Sequence, residues 1–95
     1  MTETTFYIVL CMRTVKGFET FSKFFVGNDR DFALSIFSKL RGDRNVNEKN
    51  ILHVKLMETK YKLPISIKTL SCSLEELGEN SKIIVREIFK HTNLE

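Results

Sequence analysis

Four side chains in this sequence could hold a metal or attack an electrophile: Cys11, His53, Cys72 and His91. Thiolate and imidazole are common zinc ligands, but structural zinc sites draw paired ligands from short knuckles, and here no two of the four are close in sequence. Cys11 with His53 has the residue types of a nucleophile and its base, yet nothing marks the third group that would orient the imidazole. Glu75 and Glu76 sit where a helix begins, and read as helix-start carboxylates rather than an acid/base pair. The four glycines, Gly17, Gly27, Gly42 and Gly78, are isolated, so no phosphate-cradling loop is present. No Gly-x-Ser-x-Gly, His-Glu-x-x-His or EF-hand pattern occurs. We therefore assign no catalytic residue and no metal ligand, and expect a non-enzymatic chain with no cofactor and no small-molecule ligand.

The elements that would position these groups follow from hydrophobic period. Phe6 to Thr14 is apolar on both alternating sets, as in a well-buried strand. A second strand-like run, Phe18 to Val26, follows Val15-Lys16-Gly17, which suggests a hairpin with Gly17 in the left-handed position. Pairing Thr14 with Phe18 places Phe6, Ile8, Leu10 and Met12 opposite Val26, Phe24, Ser22 and Thr20 on one face. The other face then holds Tyr7, Val9, Cys11 and Arg13 opposite Phe25, Lys23, Phe21 and Glu19. Every charge falls on that second face, with Arg13 meeting Glu19 across the strands.

Gly27-Asn28-Asp29 ends the strand, with Asn28 expected to cap a helix whose stripe is Phe32, Ala33, Ile36, Phe37 and Leu40. Gly42 is read as its stop, and Gly42 to Asn50 as a polar loop. Ile51 to Thr59 and Ile65 to Leu70 alternate as strands, and Pro64 marks the latter as an edge. Ser73 with Glu76 forms a capping-box pattern at the start of a final helix. Leu74, Leu77, Ile84, Val85, Ile88 and Phe89 share one face of it, Gly78 lies at the margin, and Ile83 is an isoleucine on the polar side.

The expected fold is α+β, a two-layer sandwich of ββαββα order: a four-stranded, mainly antiparallel sheet with both helices on one face. Its size agrees. A chain of 95 residues and 11.1 kDa fits one domain, here residues 1–93, and surface scaling lets about 65% of its area be buried. Leu94-Glu95 matches the remnant that often precedes a hexahistidine tag, so the natural chain is expected to end near Asn93. Two cysteines are too few for a disulfide framework, no signal peptide is visible, and no apolar run could span a membrane. A cytoplasmic location is the expectation, and the Lys-, Asn- and Phe-rich composition suggests a bacterial source.

What remains is the sheet face away from the helices. It is expected to carry Tyr7, Val9, Phe21 and Phe25 alongside Arg13, Lys23, His53, Lys55 and Lys68. A solvated sheet face is usually polar, so these aromatics call for a partner. The preferred reading is protein association, most simply a homodimer through Tyr7, Val9, Phe21 and Phe25. The alternative is single-stranded nucleic acid, with rings for stacking and Arg13, Lys23, His53, Lys55 and Lys68 for phosphates. The net charge of +3 decides nothing between them. A third account has the N-terminus or the loop at 43–50 covering the face.

Overall fold

The computed structural model describes residues 4–46 and 50–93. Its elements are β1 (Thr4–Thr14), β2 (Gly17–Gly27), α1 (Arg30–Lys39), β3 (Leu52–Lys60), β4 (Leu63–Cys72) and α2 (Leu74–Asn93). The strands form one antiparallel sheet in the order β2-β1-β3-β4, so β1 and β3 are central and β2 and β4 are edges. The α+β fold and the ββαββα order are those expected.

The core lies between the sheet and the helices. Phe6, Ile8 and Leu10 of β1, Leu52, Val54 and Leu56 of β3, and Leu70 of β4 meet Ala33, Ile36 and Phe37 of α1 and Leu77 and Ile84 of α2. Alternation along β1 and β3 puts these residues on one face, as their period of two requires. The Asp29 carboxylate, not Asn28, caps α1 and accepts a hydrogen bond from the Phe32 amide at 3.2 Å. The expected capping box opens α2: the Glu76 amide donates to Ser73 Oγ at 3.1 Å, and the Ser73 amide donates to Glu76 Oε1 at 2.9 Å.

Further details depart from the sequence expectations. Helix α1 ends at Lys39, and its last carbonyls are met by Arg44, which donates to the oxygens of Phe37 and Leu40 and lies over the Phe37 ring. Gly42 is therefore not the helix stop. It packs flat against β4, where a Cβ would overlap the Ser71 carbonyl oxygen. Next to it, Asp43 and Ser71 exchange backbone hydrogen bonds of 2.8 and 2.9 Å, a one-residue extension of the sheet beyond β4. On α2, Ile83 packs on the core whereas Val85 and Phe89 face solvent. The buried stripe is rotated toward α1 because Asn80 is drawn fully inside.

Asn80 explains that rotation. Its Nδ2 donates to the Arg41 carbonyl at 2.8 Å, and its Oδ1 accepts from the Arg41 amide at 2.7 Å. One side chain thus satisfies both backbone groups of a residue that leaves a helix and has no ladder to join. Lys39 with Glu87 and Arg41 with Glu79 pair at the surface nearby, and contribute little by comparison.

The β3–β4 connection is a two-residue turn, Tyr61-Lys62, with φ of 54° and 64°. Two left-handed residues give the I′ geometry that suits a twisted hairpin, but Asn and Gly fill it with less strain.

Two outcomes follow. Asn80→Ala should lower unfolding stability in urea by about 1–3 kcal/mol, because it strands both Arg41 backbone groups. Replacing Tyr61-Lys62 with Asn-Gly should raise it by roughly 1 kcal/mol, read from the same denaturation curves.

Candidate functional site

The outer face of the sheet is open among the described residues, because both helices pack on the other side. Its composition is set by the register of each strand pair, since directly paired residues share a face. Phe6 pairs with Gly27 and not with the expected Val26, which is an extra residue there; from Tyr7 to Leu10 the β1–β2 register is the expected one, pairing Tyr7 with Phe25, Val9 with Lys23 and Leu10 with Ser22. Between Leu10 and Cys11 it shifts, and Cys11 pairs with Thr20, Met12 with Glu19 and Arg13 with Phe18. Phe21 is the extra residue of this bulge, half-exposed and opposite no β1 residue.

The bulge corrects the sequence expectation in two ways. Phe18 and Thr20 join the outer face, while Glu19 moves to the helix side beside Met12, so Arg13 does not meet Glu19. The helix side tolerates this because Met12 and Glu19 lie at an end of the sheet that is solvent-exposed.

A further bulge, at Ile67, acts in the same way on β4. Met57 pairs with Ser66 and Leu56 with Lys68. Leu56 is a core residue, so Lys68 belongs to the helix side, where it borders a hollow with Leu34, Phe37 and Arg44. Lys68 is not part of the outer face that the sequence expectation gave it.

The remaining candidates come together. Across the sheet run three adjacent rows: Phe25, Tyr7, Met57 and Ser66; then Lys23, Val9, Lys55 and Thr69; then Thr20, Cys11, His53 and Ser71. Arg13 and Phe18 follow at the end. Val9, Cys11 and His53 are buried although no helix covers them. Their neighbours account for part of this. The Phe18 ring stacks on His53 with centroids 4.3 Å apart, and the Lys23 ammonium lies 4.2 Å from the Tyr7 ring centroid. The result is a shallow concavity of about 370 Å³ with Val9 and Cys11 in its lining and Lys23 and Lys55 among its walls. Phe25 stays 66% exposed beside it.

The charge on this face has one sign. Arg13, Lys23 and Lys55 point outward, and among the described residues of the four strands no acid does. Glu19 pairs with Met12 and Glu58 with the core residue Phe6, both on the helix side, and Glu58 is held by Arg30 of α1 at 2.9 Å.

The residues singled out for chemistry are only partly assembled. Cys11 and His53 face each other across β1 and β3, with the Cys11 Sγ 3.7 Å from the Thr20 hydroxyl. Cys72 sits at the end of β4, and His91 near the end of α2, where it stacks on Phe32. Burial and the nearby Glu76 carboxylate push the Cys72 thiol above its ordinary pKa. No group of three or more His, Cys, Asp or Glu side chains among the described residues could hold a metal ion. Sequence reading missed Asn80 and Arg44. Neither has a sequence signal of its own, since each is used for backbone groups that only the fold brings near.

The N-terminal residues 1–3 and the loop residues 47–49, two of the segments considered as covers for this face, lie outside the described residues, as does Leu94-Glu95. No helix among the described residues is long and apolar enough to cross a membrane. Comparison with protein-family models, with curated proteins and with solved structures finds no match for this chain.

A thiol activated for catalysis needs access as well as a base. At pH 7 the folded chain should react with Ellman's reagent at least tenfold more slowly than the chain unfolded in guanidinium, since Cys11 is buried and the Cys72 thiolate is disfavoured. A fast phase assigned to Cys11, absent in Cys11→Ser, is the result that would restore the nucleophile reading.

Proposed function

We propose that this chain is a non-catalytic association module that docks a protein partner on its outer sheet face, and that the partner presents acidic groups around an apolar patch. The observation that carries this is the outward register itself: an apolar band of Phe25, Tyr7 and Met57 lies beside a band in which Lys23 and Lys55 flank Val9, with no outward acid on the described strands. Such an apolar centre with charged neighbours is the anatomy of a protein interface.

Pairing the face with a second copy of itself is disfavoured on the same ground. A two-fold axis would bring Arg13, Lys23 and Lys55 toward their own images, and desolvating like charges opposes association. For this face we therefore favour a partner of opposite charge over the homodimer expected from the sequence.

Single-stranded nucleic acid is the second reading, because all three outward charges are positive. The rings argue against it. Phe18 is already stacked on His53, and Tyr7 already holds the Lys23 ammonium, so a base would have to displace these contacts before it could stack.

A photo-crosslinking residue at position 25, introduced in cells that make this chain, separates the readings. The expected adduct is sensitive to protease, resistant to nuclease, and lost in Lys23→Glu/Lys55→Glu. A nuclease-sensitive adduct would transfer the face to nucleic acid, and no adduct at all would remove both readings.

A further inference from the structure

Helix α2 exposes a second apolar strip that the association face does not explain. Leu74 is 74% exposed, Val85 54% and Phe89 57%. At about 100° per residue these three lie with Gly78 on one side of the helix, away from the Asn80 contact with the end of α1. Gly78 is exposed, and a Cβ built on it meets no atom within 4 Å. The fold of a single chain therefore has no steric need for this glycine, although glycine inside a helix costs about 1 kcal/mol relative to alanine.

Charge along the flank of the strip changes sign halfway. Glu75 and Glu79 occupy the first half, and Lys82, Arg86 and Lys90 the second. In a single helix this matches the macrodipole, and it is also self-complementary when the helix is reversed. We infer that α2 pairs antiparallel with α2 of a second copy of this chain, about a two-fold axis passing between Ser81 and Lys82.

In that arrangement Leu74 of one copy faces Phe89 of the other, and Gly78 faces Val85. The small residue opposite the branched one lets the helices approach closely. A two-fold axis perpendicular to both helices brings the same flank of each copy together, so the Glu75 end meets the Arg86 and Lys90 end at both ends of the pair. Glu79, which also pairs with Arg41 in its own chain, is added to that acidic half. The outer sheet face lacks this property, since its charges all have one sign. A helix of 20 residues is about 30 Å long and offers a strip at the small end of specific interfaces, so dimerisation should be roughly micromolar and concentration-dependent.

Sedimentation equilibrium of the full chain tests this. The mass should rise toward twice 11.1 kDa as concentration increases, and the dimer should weaken as salt is added. Gly78→Leu should keep or raise the circular-dichroism melting temperature, because it improves helix propensity, and still weaken the dimer at least tenfold. Glu75→Lys and Arg86→Glu should each weaken it several-fold, and the two together should restore it. A monomer at millimolar concentration would overturn the proposal. So would a dimer indifferent to Gly78→Leu, or one abolished by Lys23→Glu/Lys55→Glu, which would return self-association to the sheet face.

Discussion

The fold depends on how one buried amide is used. Asn80 reaches from α2 to the backbone of Arg41, donating to its carbonyl and accepting from its amide. Arg41 is followed by Gly42, which lies flat on β4, and by Asp43, which pairs with Ser71. Helix α1, the loop after it, helix α2 and the edge of the sheet are therefore tied at one point. Apolar contact alone would allow the two helices to slide on the sheet, because hydrophobic attraction has no direction. A pair of hydrogen bonds made by a fully buried side-chain amide fixes position as well as proximity, and leaving the amide unpaired would be costly. The exposure of Val85 and Phe89 is a consequence: turning Asn80 inward turns them out.

The same division between direction and attraction shapes the outer sheet face. Its apolar residues would be satisfied by almost any cover, whereas Arg13, Lys23 and Lys55 restrict what the cover can be. The Lys23 ammonium lies over the Tyr7 ring, and under the proposed function these cations would select a partner of opposite sign. Charge of a single sign would, in that proposal, also discourage a copy of the same face. On α2 the acids and bases divide by halves, which is the pattern the inferred antiparallel pairing with a copy would use.

Much of this architecture is legible in the residues themselves. The alternation of Phe6, Ile8 and Leu10, the stripe of Ala33, Ile36 and Phe37, and the Ser73–Glu76 box each follow from a local period or a local hydrogen bond. What sequence reasoning misplaced involves an extra residue. A bulge at Phe21 turns Phe18 to the outer face and Glu19 away from it, and a bulge at Ile67 sends Lys68 to the helix side. A strand with one additional residue keeps an acceptable pattern on both sides of the shift, so alternation gives no warning. Asn80 and Tyr61-Lys62 were illegible for another reason. The first is a polar residue on an otherwise apolar stripe, and the second is a tight turn without the glycine or asparagine that usually marks one.

The bulges fall on β2 and β4, the two strands with an unpaired side. An edge strand displays a row of free donors and acceptors that another extended chain can join, and a long regular edge is the common start of sheet-to-sheet polymers. Here each edge is broken near its middle by a residue out of step, and β4 is further guarded by Pro64, which has no amide hydrogen, and by the Asp43 bridge at Ser71. A strand added to either side would lose its hydrogen-bond phase after a few residues. The irregularities that confuse the reading of the sequence therefore also protect the folded molecule: they let an eleven-residue strand such as β2 remain at the margin of a sheet without becoming a template for its own kind.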